Sequence, residues 1–136
     1  MTVDGEKYIV YGGAATVDTT LLGDKMRGSI NSHNHVTGKS QYSFSYQDLL
    51  TAVADGSKEI HAFDEKFRYT LKFNGNVISA ENMYKAYSEA EYEVNKAKFD
   101  NYYGFVEEYI ADDDLQNEII RKTAYKLKLY YTREKR

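Results

Sequence analysis

The spacing of apolar residues changes near residue 80, and this change constrains the fold more than any other feature of the sequence. Before it, residues 58–63 (KEIHAF) and 67–73 (FRYTLKF) alternate between apolar and polar positions, which predicts two strands of a hairpin. After it, apolar and aromatic residues recur every three or four positions, which predicts long helices over residues 80–99 and 102–131. The chain is therefore predicted to be an α/β (α+β) protein that ends in a helical hairpin.

The segments upstream of the hairpin predict further short elements. Residues 6–11 and 14–18 favour strands, residues 21–26 a short helix, and Gly28 to His35 another strand. After a polar loop, Ser45 and Asp48 have the spacing of a capping box, which predicts a helix from Tyr46 to Ala54 that ends at Gly56. We accordingly expect residues 1–78 to form a sheet with flanking helices, and residues 79–136 a helical extension packed on it.

Composition limits the classes of protein that this chain can belong to. Its 136 residues, 42% of them hydrophobic, suit one globular domain with a modest core. It contains no cysteine, so any bound transition metal must use His, Asp or Glu side chains. A formal net charge of -3 argues against broad nucleic-acid binding. Neither a leader peptide nor a membrane span is indicated, and we expect a cytoplasmic protein.

Two of the three histidines lie close together in the sequence, at His33 and His35. On a strand, residues two apart point to the same face about 7 Å from each other, so both imidazoles can reach one ion. Asp48 follows within sixteen residues of His33 and could supply a carboxylate ligand. The alternative interpretation is that both histidines are surface strand residues and that Ser45 and Asp48 only cap a helix.

These residues resemble the signature of the JAMM/MPN (JAB-domain) metallopeptidases, which is His-x-His-Pro, a loop, and Ser-x-x-Asp. The segment SFSYQDL, from Ser43 to Leu49, is most similar to the prokaryotic and phage-associated branch, and the resemblance covers roughly residues 5 to 75. It implies that His33, His35 and Asp48 bind Zn2+ and that the protein cleaves a peptide or isopeptide bond. It also implies a bacterial or phage-infected cell, or a virion, as the setting.

The resemblance further implies two catalytic residues. Family members carry a glutamate on an early strand, and Glu6 is the only glutamate before His33. Glu6 would accept a proton from water and pass it to the leaving amine. Ser45 matches the family serine and would donate a hydrogen bond to the oxyanion. Glu6 as an ordinary exposed carboxylate is the alternative.

The sequence leaves two other functions open. Val36 stands where the family has proline, and Glu6 lies close to Met1, so the chain could be a catalytically degenerate scaffold or binding module, structural or directed against a host defence. The basic tail, from Arg121 to Arg136, could bind nucleic acid, although cations also suit a helix C-terminus.

Three smaller features complete the predictions. The tyrosines of the C-terminal half could contact a protein partner or pack on the sheet. The run Asp112-Asp113-Asp114 is expected to cap the second long helix or a break in it, rather than to bind calcium. His61 is expected to be structural or exposed.

Overall fold

The computed structural model describes Gly5, Lys7 and residues 27–34, 43–102 and 114–136, with residues 33, 34 and 99–102 described by their backbone alone. These ranges contain a mixed α/β arrangement of four strands and three helices. In chain order the elements are β1 (Ile30–Asn34), α1 (Tyr46–Asp55), β2 (Glu59–Phe63), β3 (Phe67–Lys72), α2 (Ala80–Tyr102), α3 (Leu115–Leu127) and β4 (Tyr130–Lys135). Apart from Lys7, the residues of the elements predicted over 6–11, 14–18 and 21–26 lie outside the described part of the chain.

The four strands form one sheet in the order β1-β2-β3-β4. β1 and β2 are parallel and are connected through α1, whereas β3 is antiparallel to both of its neighbours, β2 and β4. The predicted hairpin of β2 and β3 is confirmed. Its turn is closed by Asp64, whose Oδ1 accepts hydrogen bonds from the amides of Lys66 (2.8 Å) and Phe67 (2.7 Å).

The helix α1 begins and ends within one residue of its prediction. Ser45 is its N-cap, and Gly56 ends it in the left-handed conformation with φ of 65°. A residue with a side chain would be strained in this conformation, so glycine suits the position. The Gly28 amide donates to the Gly56 carbonyl at 2.6 Å, which brings the end of α1 beside the residues that lead into β1.

The prediction of a helix up to Tyr131 is wrong in its last residues. α3 ends at Leu127, Lys128 adopts the left-handed conformation with φ of 58°, and the chain continues as β4. β4 pairs with β3, with Tyr131 opposite Leu71 and Tyr130 opposite Lys72. Helical spacing alone does not reveal this strand, because its stability comes from a partner about sixty residues earlier in the sequence. The C-terminal half therefore contributes a strand to the sheet as well as two helices.

A single large core joins the sheet to all three helices. It combines side chains of α1, of the central strands and of α2 and α3, chiefly Leu49, Ala52, Ile60, Ala62, Tyr69, Leu71, Met83, Ile120 and Ala124. A second, smaller cluster of Ala90, Val94 and Ile119 lies between α2 and α3. None of the helices in the described part of the chain is both long enough and apolar enough to span a membrane.

Candidate metal centre

His33 is the fourth residue of β1, on the strand that the sequence predicts for it. Its backbone lies opposite Ala62 of β2, a residue that is fully buried in the main core. The first half of β1 is fixed by side chains, since Asn31 Nδ2 donates to Ser57 Oγ at 2.7 Å and Ser29 Oγ donates to Asn31 Oδ1 at 3.2 Å. His35 and Glu6 lie outside the described residues.

Ser45 and Asp48 form the capping box that their spacing predicts. The Ser45 hydroxyl oxygen accepts a hydrogen bond from the Asp48 amide at 3.1 Å. In return, Asp48 Oδ2 accepts from the Ser45 amide at 2.8 Å. Two amides at the start of α1 are satisfied in this way, and the half-buried Asp48 carboxylate is held in one orientation beside the positive end of the helix dipole.

The capping box is compatible with the chemistry that the resemblance implies for these residues. A hydrogen bond from a backbone amide is the kind of outer contact that orients a carboxylate ligand toward a metal ion. A hydroxyl carries one donor hydrogen besides its acceptor lone pairs, so the role of Ser45 as cap acceptor leaves its proton available in principle for an oxyanion. Asp48 thus offers a donor type that zinc accepts, and the Ser45 amide fixes the orientation of its carboxylate.

The remaining members of the predicted site are not brought together by any contact in the described part of the chain. There, no group of three or more His, Asp and Glu side chains lies close enough to bind a metal ion. The side chain of His33, together with His35 and Glu6, lies outside that part of the chain. The predicted ligand set His33, His35 and Asp48 therefore stays a prediction.

His61, the third histidine, is a buried part of the sheet, which agrees with the structural alternative for this residue. Its side chain is 6% exposed, and its Nε2 lies 2.6 Å from Glu59 Oε1. On the other side of the ring, Nδ1 lies 3.3 Å from Arg68 Nη2 and 3.2 Å from Thr70 Oγ1. Because a guanidinium can only donate, Nδ1 is the acceptor and Nε2 carries the hydrogen that is donated to Glu59.

Sequence reasoning missed this partner of His61, although a signal was present. Glu59 precedes His61 by two residues on the same strand, and residues at that spacing share a face of the sheet. Both ring nitrogens of His61 have hydrogen-bond partners, Glu59 on one side and Arg68 and Thr70 on the other. These contacts stabilise the sheet, and this structural role is enough to explain why His61 is buried there.

The tyrosines of the C-terminal half divide between the two predicted roles. Tyr87 packs against Tyr46 of α1 with ring centroids 4.8 Å apart, and burial raises its pKa. Tyr84 also contacts the Tyr46 ring, at 6.3 Å, but is 61% exposed. Tyr92 and Tyr125 are exposed too, so packing accounts for only some of these side chains.

Among the described residues, four of the seven cations in the basic tail form salt bridges with acids, one of them Arg133 with Asp114. Salt bridges join Arg121 to Glu118, Lys122 to Glu93, and Lys126 to both Glu89 and Glu93. The hydrogen bond between Lys126 and Glu93 lowers the pKa of Glu93 and raises that of Lys126. Pairing with neighbouring carboxylates reduces the positive field that phosphate binding requires.

Comparison with known proteins gives no relative. No protein-family model matches the chain, and no match was found among curated proteins or solved structures.

Proposed function

We propose that the protein is a zinc-dependent metallopeptidase or isopeptidase of the JAMM type, with an MPN-like arrangement of the sheet around its site. In this proposal His33, His35 and Asp48 bind the zinc ion, and Glu6 and Ser45 are catalytic. The substrate is a protein or peptide.

The geometry of Asp48 carries the proposal. Its carboxylate lies in the first turn of α1, held by the Ser45 amide at 2.8 Å, and the strand that contains His33 precedes this helix in the chain. β1, the capped helix α1 and the parallel strand β2 follow each other along the chain in the order that the resemblance implies. The donor types fit zinc, which is commonly bound by imidazole nitrogens and a carboxylate with one position left open.

Each protein group has a defined task in this mechanism. Zinc, when bound, supplies a Lewis acid that polarises the scissile carbonyl and makes water a good nucleophile at neutral pH. Glu6 accepts the proton of the attacking water and delivers it to the leaving amine, so that no free amide anion has to form. Ser45 donates a hydrogen bond to the oxyanion, a contact worth about 3 kcal/mol in other hydrolases.

The metal part of the proposal is tested by measuring zinc bound per chain in the purified protein. We expect the wild-type protein to bind one zinc ion per chain. His33→Ala and His35→Ala should abolish this binding, and Asp48→Asn should weaken it strongly. His61→Gln is the matched control, because His61 is the remaining histidine and already has partners on both ring nitrogens. Wild-type protein without zinc, or equal loss in the control, would contradict the proposal.

The catalytic part is tested with variants that keep the metal. Glu6→Gln should still bind zinc but should no longer hydrolyse a substrate with a peptide or isopeptide bond. Ser45→Thr should keep both the helix cap and the hydroxyl donor, and therefore a substantial part of the activity.

A catalytically degenerate MPN-like scaffold or binding module is the second candidate. The observation that favours it is that Ser45 and Asp48 already have a complete structural task in capping α1. This candidate predicts that zinc, if bound, supports no hydrolysis, and that Glu6→Gln changes nothing measurable.

A further inference from the structure

The residues directly before Ser45 are held by the C-terminal half of the protein. Ser43 Oγ lies 2.7 Å from the hydroxyl of Tyr131 in β4, although the two residues are 88 positions apart. The Tyr131 hydroxyl donates its only proton to Asn117 Oδ1, also at 2.7 Å. Ser43 must therefore be the donor to Tyr131, and the chain of hydrogen bonds runs in one direction from Ser43 to Asn117.

A second contact holds the next residue, Phe44. Gln116 Nε2 donates to the Phe44 carbonyl oxygen at 2.7 Å and to the Tyr87 hydroxyl at 3.3 Å. The Phe44 ring is fully buried and contacts the Tyr131 ring edge-on, with centroids 6.4 Å apart. Helix α3 thus holds the backbone one residue before the N-cap, β4 holds the side chains of Ser43 and Phe44, and Tyr87 of α2 supports Gln116.

These hydrogen bonds restrict the arrangement of the segment because Ser43 and Asn117, at the two ends of the chain of hydrogen bonds, are buried. Ser43 is fully buried and Asn117 is 6% exposed, so neither can exchange its partner for bulk water. A buried polar group that loses its partner incurs a desolvation penalty, and a fully satisfied buried network therefore favours one arrangement over its alternatives. A shift in the start of α1 would break several of these contacts at once.

We propose that Tyr131, Asn117 and Gln116 are positioning residues that hold the start of α1 against the C-terminal half and thereby fix the orientation of Ser45 and Asp48. The consequence for zinc binding rests on the function proposed above, whereas the positioning itself does not. In this proposal the C-terminal half supports the candidate metal centre but supplies no ligand to it.

The test uses the full chain and compares Tyr131→Phe with Tyr130→Phe. The first variant removes the hydroxyl between Ser43 and Asn117 but keeps the ring on Phe44, and the second makes the same change at the neighbouring residue, which is 49% exposed. Ile120→Val, a buried truncation outside the network, controls for a general loss of stability. Gln116→Glu, which removes the donor to Phe44 with little change of shape, is a second variant of the network.

The first readout is hydrogen exchange of the Ser45 and Asp48 amides, both of which are hydrogen-bonded in the capping box. Tyr131→Phe and Gln116→Glu should speed their exchange relative to amides in the middle of α1, and the two controls should not. The second readout is zinc affinity, measured by competition with a chelator. We expect it to fall about tenfold, the lower end of the range for groups that orient a metal ligand.

The two proposals fail in different ways. Unchanged exchange at Ser45 and Asp48 in both network variants overturns the positioning, whatever the zinc affinity. An equal effect in Ile120→Val also overturns it, because the change would then reflect stability alone. A wild-type protein that binds no zinc overturns the proposed function, while the amide exchange still decides whether the C-terminal half positions α1.

Discussion

Arg133 Nη1 lies 2.6 Å from Asp114 Oδ1, so the last strand of the sheet is paired with the residue that begins α3. Asp114 is the N-cap residue of α3 but makes no side-chain capping hydrogen bond. Its backbone has helical angles, with φ of -98° and ψ of -8°, rather than the extended angles of a capping residue. Its carboxylate instead connects α3 to β4.

Replacing Arg133 should destabilise the protein more than replacing Asp114. Arg133 also stacks on the Phe67 ring at 4.4 Å, so Arg133→Met removes an ion pair and a cation–π contact, whereas Asp114→Asn removes the ion pair alone. We expect a loss of about 1 kcal/mol for Arg133→Met and less for Asp114→Asn, because both groups are partly exposed. Urea unfolding measures both losses, with Glu134→Gln on the exposed side of β4 as control.

Salt should distinguish the two contributions at Arg133. Screening weakens the ion pair, so the difference between wild type and Asp114→Asn should shrink in concentrated NaCl. Contact with the Phe67 ring should keep Arg133→Met less stable than wild type under the same conditions. Equal stability of the two variants at low salt would contradict this account.

Loss of the helix cap should lower stability independently of any catalysis. Ser45→Ala removes the acceptor for the Asp48 amide, and comparable substitutions cost about 1 kcal/mol. Ser45→Thr should recover most of it, because threonine also caps. Thermal or urea unfolding of protein without metal measures the effect, and an unchanged Ser45→Ala would mean that the capping box contributes nothing.

His61 should matter for stability and not for zinc. His61→Leu leaves Glu59 and Thr70 without their imidazole partner in a largely buried position, and we expect a loss of about 1 to 3 kcal/mol. The protein should still bind as much zinc as wild type. A loss of zinc in correctly folded His61→Leu would instead assign this histidine to the metal centre.

The stability of the protein should decline above pH 10. Burial, followed by the hydrogen bond to Asp64, raises the pKa of Tyr69, and burial raises the pKa of Tyr131. Tyrosines of the unfolded chain ionise near pH 10, so above that pH the unfolded state has released protons that the folded state keeps. The contribution of these two tyrosines to the free energy of unfolding is therefore fully present below pH 10. It is lost as the pH rises above 10, by up to about 1.4 kcal/mol per pH unit for each tyrosine.

Urea unfolding at pH 8 to 11 measures this decline. The double variant Tyr69→Phe/Tyr131→Phe should show a shallower slope above pH 10, although it will be less stable than wild type at pH 8. Tyr125→Phe, at a residue that is 84% exposed, should have the wild-type slope. A double variant with an unchanged slope would show that these two tyrosines do not cause it.

The elements that could be predicted are those whose signals are local in the sequence. The capping box of Ser45 and Asp48 depends on a three-residue spacing, and the end of α1 on a glycine that tolerates a positive φ. The hairpin of β2 and β3 likewise needs only alternation and a short polar turn that Asp64 closes. Such features are determined within a few residues, so the order of amino acids is enough to locate them.

Contacts between distant residues could not be predicted in the same way. The change from α3 to β4 depends on pairing with β3, and the partners of Ser43 and Phe44 come from residues 72 to 88 positions away. Many distant side chains could satisfy a buried hydroxyl or carbonyl, and only packing of the core selects Tyr131 and Gln116.

The sequence alone determined the type and limits of α1, the hairpin and the long helix α2. It named the residues of the candidate metal centre only as a hypothesis. The tertiary structure decided that β4 completes the sheet, that His61 is a buried partner of Glu59, and that the C-terminal half holds the start of α1. The physical reason is that capping and periodicity act over one or two helical turns, whereas strand pairing and the satisfaction of buried polar groups are settled only when distant segments meet.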